Sequence, residues 1–391
     1  MAEILSPARD FDCLKGAVLY SADAVYLGLD RFSMRSSRGF DESNLAGAVS
    51  YAHARGVKVY VALNATPQAG ETEQLAAYFN IVKSAGADAV IVGDIGTLDK
   101  AAKAGLTVHA SVQAGCANAE TAKILQSLGA SCIVLARELT LSQIEYITKN
   151  APMVQYEAFV HGAVCMAMSG RCGISAYLTG RNANSGACAQ PCRWNYKTYI
   201  EEGKRGGSLF ELEEREGYTE ILSSGDLCMI EHLTELENAG ISSFKIEGRA
   251  KSYYYTCVIT NAYKNAGKPW AKRETDLISH REYDTGFYFG QPPCHAALNH
   301  QAYIRNAEIA AVVLGQESGM LVCSQRNNFK VGESLELVLP GVEPIPFVVE
   351  EMYDDSGEAI LVAPHAEMGV GIPVPFDGDI PPGCVIRKLE I

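Results

Sequence analysis

At 391 residues the chain is too long for one small core and long enough for about two domains. Its 48% hydrophobic and 20% charged content excludes a disordered or fibrous class, and a net charge of −13 argues against a uniformly basic nucleic-acid binder. No apolar run reaches the roughly 20 residues needed to cross a bilayer, so no membrane association is expected. The opening segment MAEILSPARDFDCLKGAV lacks a basic stretch followed by an apolar one, so no signal peptide is expected either. The expected location is the cytoplasm, where thiols stay reduced and clustered cysteines more often bind metal or do chemistry than pair.

The first 150 residues alternate regularly. Residues 3–8, 23–29, 58–64, 88–94, 107–113, 132–138 and 154–162 are short β-branched runs that predict strands. Helical patterns lie between them, such as ESNLAGAVSYAHARG and ETEQLAAYFNIVKSAG, the second stopped at Gly86. Such alternation predicts βα units on a parallel sheet. An eighth strand, 241–249, comes after a long interruption and precedes a helix starting near Ser252. The expected fold is α/β: residues 1–300 form a TIM-like (β/α)8 barrel with a Cys-rich insertion after strand seven, at about 163–240. A doubly wound sheet is the alternative, but it usually carries a Gly-rich phosphate turn after its first strand, and SPARDFD is not one. Residues 285–301 read as a linker. In 301–391 closely spaced strands and turn signals predict a small antiparallel β-barrel or sandwich.

Five cysteines fall between 165 and 228: Cys165, Cys172, Cys188, Cys192 and Cys228. The first four sit in a segment rich in Gly, Ser, Asn and Arg, which reads as a long loop. Active sites of TIM barrels lie at the C-terminal strand ends, and the loop leaves strand seven on that face. Polar residues expected at those ends are Asn64, Asp94, Gln113, Arg137, Glu138, Glu157, His161, Glu247 and Arg249. The charge is uneven. Residues 303–391 carry 5 basic and 14 acidic residues, whereas 165–205 hold six basic residues against Glu201 and Glu202. The cysteine loop is therefore locally basic in an acidic protein.

Three readings of the cysteines compete. Structural zinc normally shows pairs at C-x(2–4)-C, and only Cys188-x3-Cys192 fits that spacing. An iron–sulfur cluster needs four thiolates and tolerates wider, irregular spacing. Unligated thiols are the third reading. Five candidates for four places favour Cys165, Cys172, Cys188 and Cys228, with Cys192 as the alternative ligand. Cys13, Cys116, Cys132, Cys257, Cys294, Cys323 and Cys384 are isolated and read as packing residues. HExxH, GxSxG, Walker A and GxGxxG motifs are absent. A cysteine nucleophile paired with His161 is a minor alternative. Glu157 and His161 alternate with apolar residues on strand seven and are the candidate catalytic pair, each with hydrogen-bonded barrel residue as the plainer reading.

The run EAFVHGAVCMAMSGRCGISAYLTGRNANSGACAQPCR (157–193) resembles the signature of the collagenase-like peptidase family, family "U, thirty-two". The opening AEILSPARDFDCLKGAVLYSADAVYLGLDRFSMR and the later FKIEGR (244–249) are similar to other parts of it, and the β-rich tail resembles the C-terminal domain of longer members. The resemblance covers essentially the whole chain. Despite the name, members of this type include oxygen-independent hydroxylases that use prephenate and a [4Fe-4S] cluster. Barrel-plus-tail length implies the branch acting on tRNA wobble uridine at ring carbon five. Another RNA base, a quinone precursor or peptide hydrolysis are the alternatives.

The resemblance carries the cluster ligands onto Cys165, Cys172, Cys188 and Cys228; a sister branch uses both cysteines of a C-x3-C pair, which keeps Cys192 in contention. It implies tRNA as partner, with room for a paralogous family member or an electron donor. Prephenate carries two carboxylates that guanidinium groups bind in bidentate fashion, so Arg35, Arg38, Arg171, Arg181 and Arg193 are candidate clamps. Tyr177, Trp194 or Tyr196 are candidates for stacking a splayed base.

Overall fold

The computed structural model describes residues 2–34, 39–165, 167, 172–194, 198–201, 209–212, 225–290, 303–375 and 378–389. Seven parallel strands lie in sequence order: β1 (Glu3–Pro7), β2 (Ala24–Gly28), β3 (Lys58–Leu63), β4 (Ala89–Val92), β5 (Val108–Ala110), β6 (Ala130–Val134) and β7 (Gln155–Ala163). After them come a hairpin of β8 (Thr198–Glu201) and β9 (Leu209–Leu212), then β10 (Asp226–Cys228) and β11 (Ser243–Ile246). β11 pairs in parallel with both β1 and β7, which closes an eight-stranded cylinder. Its strands read as unbroken apolar runs because both faces are covered; β2, AVYLG, is buried at every position.

Around the cylinder run α1 (Phe11–Leu19), α2 (Glu42–His53), α3 (Gln74–Ala85), α4 (Ile95–Lys103), α5 (Ala119–Ser127) and α6 (Leu141–Asn150). Their starts follow from capping. Asp41, Asp94, Asn118 and Thr140 each accept a backbone N–H of the first turn. Gly86 ends α3 at φ 75°, the left-handed conformation that favours glycine. The cysteine segment holds a short helix, α7 (Ile174–Thr179), so it is less irregular than its composition suggests. α8 (Leu233–Asn238), α9 (Tyr253–Lys264) and α10 (Ala271–Asp276) complete the ring, with Ser252 capping α9 as expected. No described helix is long and apolar enough to cross a membrane.

Two predicted strands are shorter than expected. Residues 107–113 give only Val108–Ala110, because Ser111 accepts from Gln113 N–H and turns the chain into a 3-10 helix. Residues 241–249 give only Ser243–Ile246. A Cβ on Gly248 would stand 2.6 Å from the Tyr255 ring, so the chain passes too close to α9 there for most side chains.

A two-residue strand, β12 (Tyr283–Asp284), pairs beside β10. The tail contains β13 (Ala307–Glu317), β14 (Met320–Gln325), β15 (Phe329–Lys330), β16 (Ser334–Val338), β17 (Ile345–Val348), β18 (Tyr353–Asp354), β19 (Val362–Ala363), β20 (Gly369–Pro373) and β21 (Val385–Leu389). Seven of these form one antiparallel sheet in the order β17-β16-β21-β13-β14-β20-β18, and β15 pairs with β19. The sheet curls around its own apolar core, which includes Leu321, Phe329, Leu337, Ile372 and Ile386.

The tail docks on α9 and α10. Tyr20 and Tyr253 donate to the carbonyls of Val338 and Gly383, and Asn261 donates to Leu339 O. This explains a helix buried on nearly every side: α9 lies between barrel and tail, and its tyrosines bury their rings while their hydroxyls reach carbonyls.

Candidate active site

Glu157 and Phe159 of β7 face into the cylinder. Between Lys245 and Ile246 of β11 the pairing register with β7 shifts, so Ile246 lies beside His161 rather than Val160. That bulge turns His161 to the other side of the wall, among the rings of Tyr255, Tyr263 and Tyr283. Gly162, at φ 101°, makes the local geometry possible, since a Cβ there would stand 2.5 Å from Glu247 O.

The two expected catalytic side chains are both sealed in. Glu157 is fully buried, and one of its oxygens accepts from Lys245 Nζ at 2.6 Å. His161 Nδ1 lies 3.2 Å from the Tyr263 hydroxyl, and Nε2 is buried with no hydrogen-bond partner among the described residues. Burial, helped by the positive charge of Lys251 and Lys272, pushes the His161 imidazole down to about 3, so it is neutral at neutral pH. Strand β10 runs antiparallel to β7 and sets Cys228 beside His161. The Cys228 thiol lies 3.9 Å from Thr275 Oγ1 and 4.0 Å from Tyr263 Oη, and burial raises its pKa.

Around the mouth a hydrogen-bonded chain links four strand ends. Arg249 donates to Ser33 Oγ and Met34 O, Met34 N–H donates to Asn64 Oδ1 at 3.0 Å, and Asn64 donates to Gln113 Oε1 at 3.1 Å. Arg137 lies over the Phe159 ring at 4.1 Å and 3.8 Å from Glu247. Asp94, expected at the rim, is occupied as the cap of α4.

The loop cysteines that follow β7 are free thiols. Cys165 and Cys188 are exposed; Cys172 and Cys192 are half-buried. Burial raises the Cys192 pKa, the Arg193 guanidinium opposes it, and the Cys165, Cys188 and Cys172 thiols raise it further. At the Cys228 thiol the effect of burial is opposed by the Ile230 N–H, Lys272, Thr275 and Tyr263. Four unpaired thiols on one solvent-facing loop fit the donor set of an iron–sulfur centre, which needs thiolates that a bound cation keeps ionised. Arg181 Nε donates to Ala187 O at 3.0 Å, and Arg193 reaches Val164 O at 3.4 Å, which pins the loop's end to its beginning. Tyr177 is 89% exposed and Trp194 42% exposed. Arg35, Arg38, Arg171 and Tyr196 lie outside the described residues.

Sequence reasoning missed Lys245, whose signal was a lysine inside an otherwise apolar strand, and Tyr263, whose signal was the tyrosine density of α9. It also missed Asp226 and Arg281, a buried pair at 2.8 Å that anchors the start of β10.

A TIM-type barrel with a free-thiol loop after β7 and a docked β tail defines the class. Residues 9–297 match the model of Peptidase family U32 and residues 305–387 that of the Peptidase family U32 C-terminal domain, and the chain belongs to this family. It is 42% identical over 305 residues to an uncharacterized protease of Methanocaldococcus jannaschii, covering 74% of this chain and 73% of that one. It is 32% identical to the tRNA hydroxylation protein P of Escherichia coli, over 99% of this chain and 97% of that one. A 23S rRNA 5-hydroxycytidine synthase of Escherichia coli is 38% identical over 67% of this chain and 38% of its own length.

Proposed function

We propose that the chain hydroxylates tRNA wobble uridine at ring carbon five without molecular oxygen, with prephenate as co-substrate. The observation that carries this reading is similarity to tRNA hydroxylation protein P along both domains, 99% of this chain. A coarser statement, hydroxylation of an RNA base, draws further support from the rRNA hydroxycytidine relative.

The site supplies matching parts. Cys165, Cys172 and Cys188 would hold a [4Fe-4S] cluster. The fourth thiolate comes from Cys192, which shares their surroundings, or from Cys228, which the family resemblance implies. Such a cluster supplies one-electron chemistry at the mouth. Arg181 and Arg193 each spend one donor on a carbonyl and keep others for the carboxylates of a small acid. Exposed Tyr177 and Trp194 offer π-faces to an unstacked base, and the local excess of basic residues attracts the phosphates around it.

The test uses cells lacking this gene, grown without oxygen, and mass spectrometry of their tRNA nucleosides. Loss of hydroxyuridine-derived nucleosides, restored by the wild type and not by Cys172→Ala, is the expected result. Full restoration by Cys172→Ala contradicts the cluster role. An unchanged tRNA profile in cells without a paralogue contradicts the substrate. The competing peptidase reading rests on the family's name and on the protease relative. It requires gelatin hydrolysis that survives exhaustive purification.

A further inference from the structure

The barrel interior holds a second set of metal-ligating side chains, separate from the cysteine loop. His109 on β5, Cys132 on β6 and Glu157 on β7 come from three adjacent strands, and the register sets His109 beside Cys132. One donor atom from each lies within 4.8 Å of the other two. The residues are 7%, 2% and 0% exposed. Two of their polar atoms, His109 Nδ1 and Glu157 Oε2, are buried with no hydrogen-bond partner among the described residues. A buried polar group left unsatisfied costs roughly 1–3 kcal/mol, so two in one group point to a ligand that satisfies them.

The surroundings orient two of the three donors. Lys245 holds Glu157 Oε1 and leaves Oε2 free, as an outer partner orients a ligating carboxylate. The Tyr60 ring packs edge-on to His109 at 4.6 Å and is itself fixed through its hydroxyl on Glu3 at 2.8 Å. His109 Nδ1 has no hydrogen-bond partner among the described residues, so a ring nitrogen is available as a donor to an ion. Donors bound tetrahedrally to one zinc ion stand roughly 3.3–3.8 Å apart, a contraction that small side-chain movements achieve from the observed spacing.

We propose that His109, Cys132 and Glu157 bind one divalent ion of the zinc class inside the barrel, independently of any metal held by the loop cysteines. Imidazole, thiolate and carboxylate are the ligand types such an ion takes. The thiolate and carboxylate balance its two charges, while Lys245 stays on the far carboxylate oxygen. The three donors tie three adjacent strands to one ion and leave the fourth position of a tetrahedral ion to water or another small ligand. This assignment competes with the catalytic role expected of Glu157 from its strand position.

The test is metal content of the full chain, expressed with Zn2+ or Co2+ in the medium and purified anaerobically. A variant with Cys165, Cys172, Cys188, Cys192 and Cys228 all changed to Ser serves as background, which separates this site from the proposed cluster. The expected result is about one zinc per chain in that background, falling to trace levels on adding Cys132→Ser or His109→Gln. Undiminished zinc in Cys132→Ser overturns the proposal, as does a background variant that binds none. Where Cys132→Ser fails to fold, the Co2+ form of the background variant decides. A thiolate-to-cobalt absorption band is expected, and its absence overturns the proposal.

Discussion

Glu157 shows how one residue's environment outweighs its position in the sequence. A fully buried carboxylate is tolerable there because Lys245 lies 2.6 Å away. Removing one partner of such a pair leaves an uncompensated buried charge. Lys245→Met should therefore cost roughly 3–5 kcal/mol, seen as a lowered denaturant midpoint at unchanged slope. A midpoint within error of the wild type would show that the pair contributes nothing. Gly162→Ala should also destabilise, by roughly 1–3 kcal/mol, since it combines a left-handed φ with a carbonyl 2.5 Å from the new Cβ. Polar positions on β7 were legible in the sequence; their facing was not. Simple alternation puts Glu157 and His161 on one side, and the bulge between Phe159 and His161 separates them. A bulge of this kind depends on the neighbouring strand's register and leaves no period in β7 itself.

Among the elements, the eight barrel strands were legible because each is a short, mostly apolar run set between helical patterns. β10 was not. It is three residues long, and it exists because Asp226 is held by Arg281, 55 positions away. Yet β10 is the element that brings Cys228 to His161. The thiols themselves were visible as a cluster from their spacing, whereas the sharing of one neighbourhood by Cys192 with Cys165, Cys172 and Cys188 required the loop's path. The short helix α7 presents Tyr177 almost fully to solvent. If that ring stacks a base, Tyr177→Ala should weaken tRNA binding by roughly 1–3 kcal/mol while leaving the melting temperature unchanged. Equal affinity in fluorescence anisotropy titrations at fixed salt would remove Tyr177 from the interface.

For the whole molecule the decisive feature is how the tail is fixed to the barrel. Arg387 of β21 is fully buried and donates to both oxygens of Glu274 on α10 at 2.7 Å and to Glu336 at 2.8 Å. Arg273 closes the network on Glu336 at 2.7 Å. The two domains were legible from the change in periodicity near residue 300, but this clamp was not. Glu274 and Arg387 stand 113 positions apart and look like ordinary surface charges. Arg387→Met strands the fully buried Glu274 carboxylate, while Glu336 keeps Arg273, and should cost roughly 3–5 kcal/mol.

The same network sets a pH response. Burial raises the Glu336 pKa, but hydrogen bonds from Arg273 and Arg387 outweigh it and hold the carboxyl below its ordinary value. A carboxyl depressed in the folded state contributes stability that is complete above its unfolded pKa and is lost as pH falls toward the folded one. Thermal stability should therefore fall on acidification below about pH 4.5, by at most about 1.4 kcal/mol per pH unit from this group. Glu336→Gln should flatten that slope; an unaltered slope would place the acid sensitivity elsewhere.

The most direct measurement is a reconstituted reaction without oxygen. The full chain, loaded with iron and sulfide, is incubated with unmodified tRNA and prephenate, and the RNA is digested and analysed by mass spectrometry. Hydroxyuridine at the wobble position, dependent on prephenate and absent with Cys165→Ala, is the predicted result. Wobble uridine left unmodified by cluster-loaded protein would contradict it.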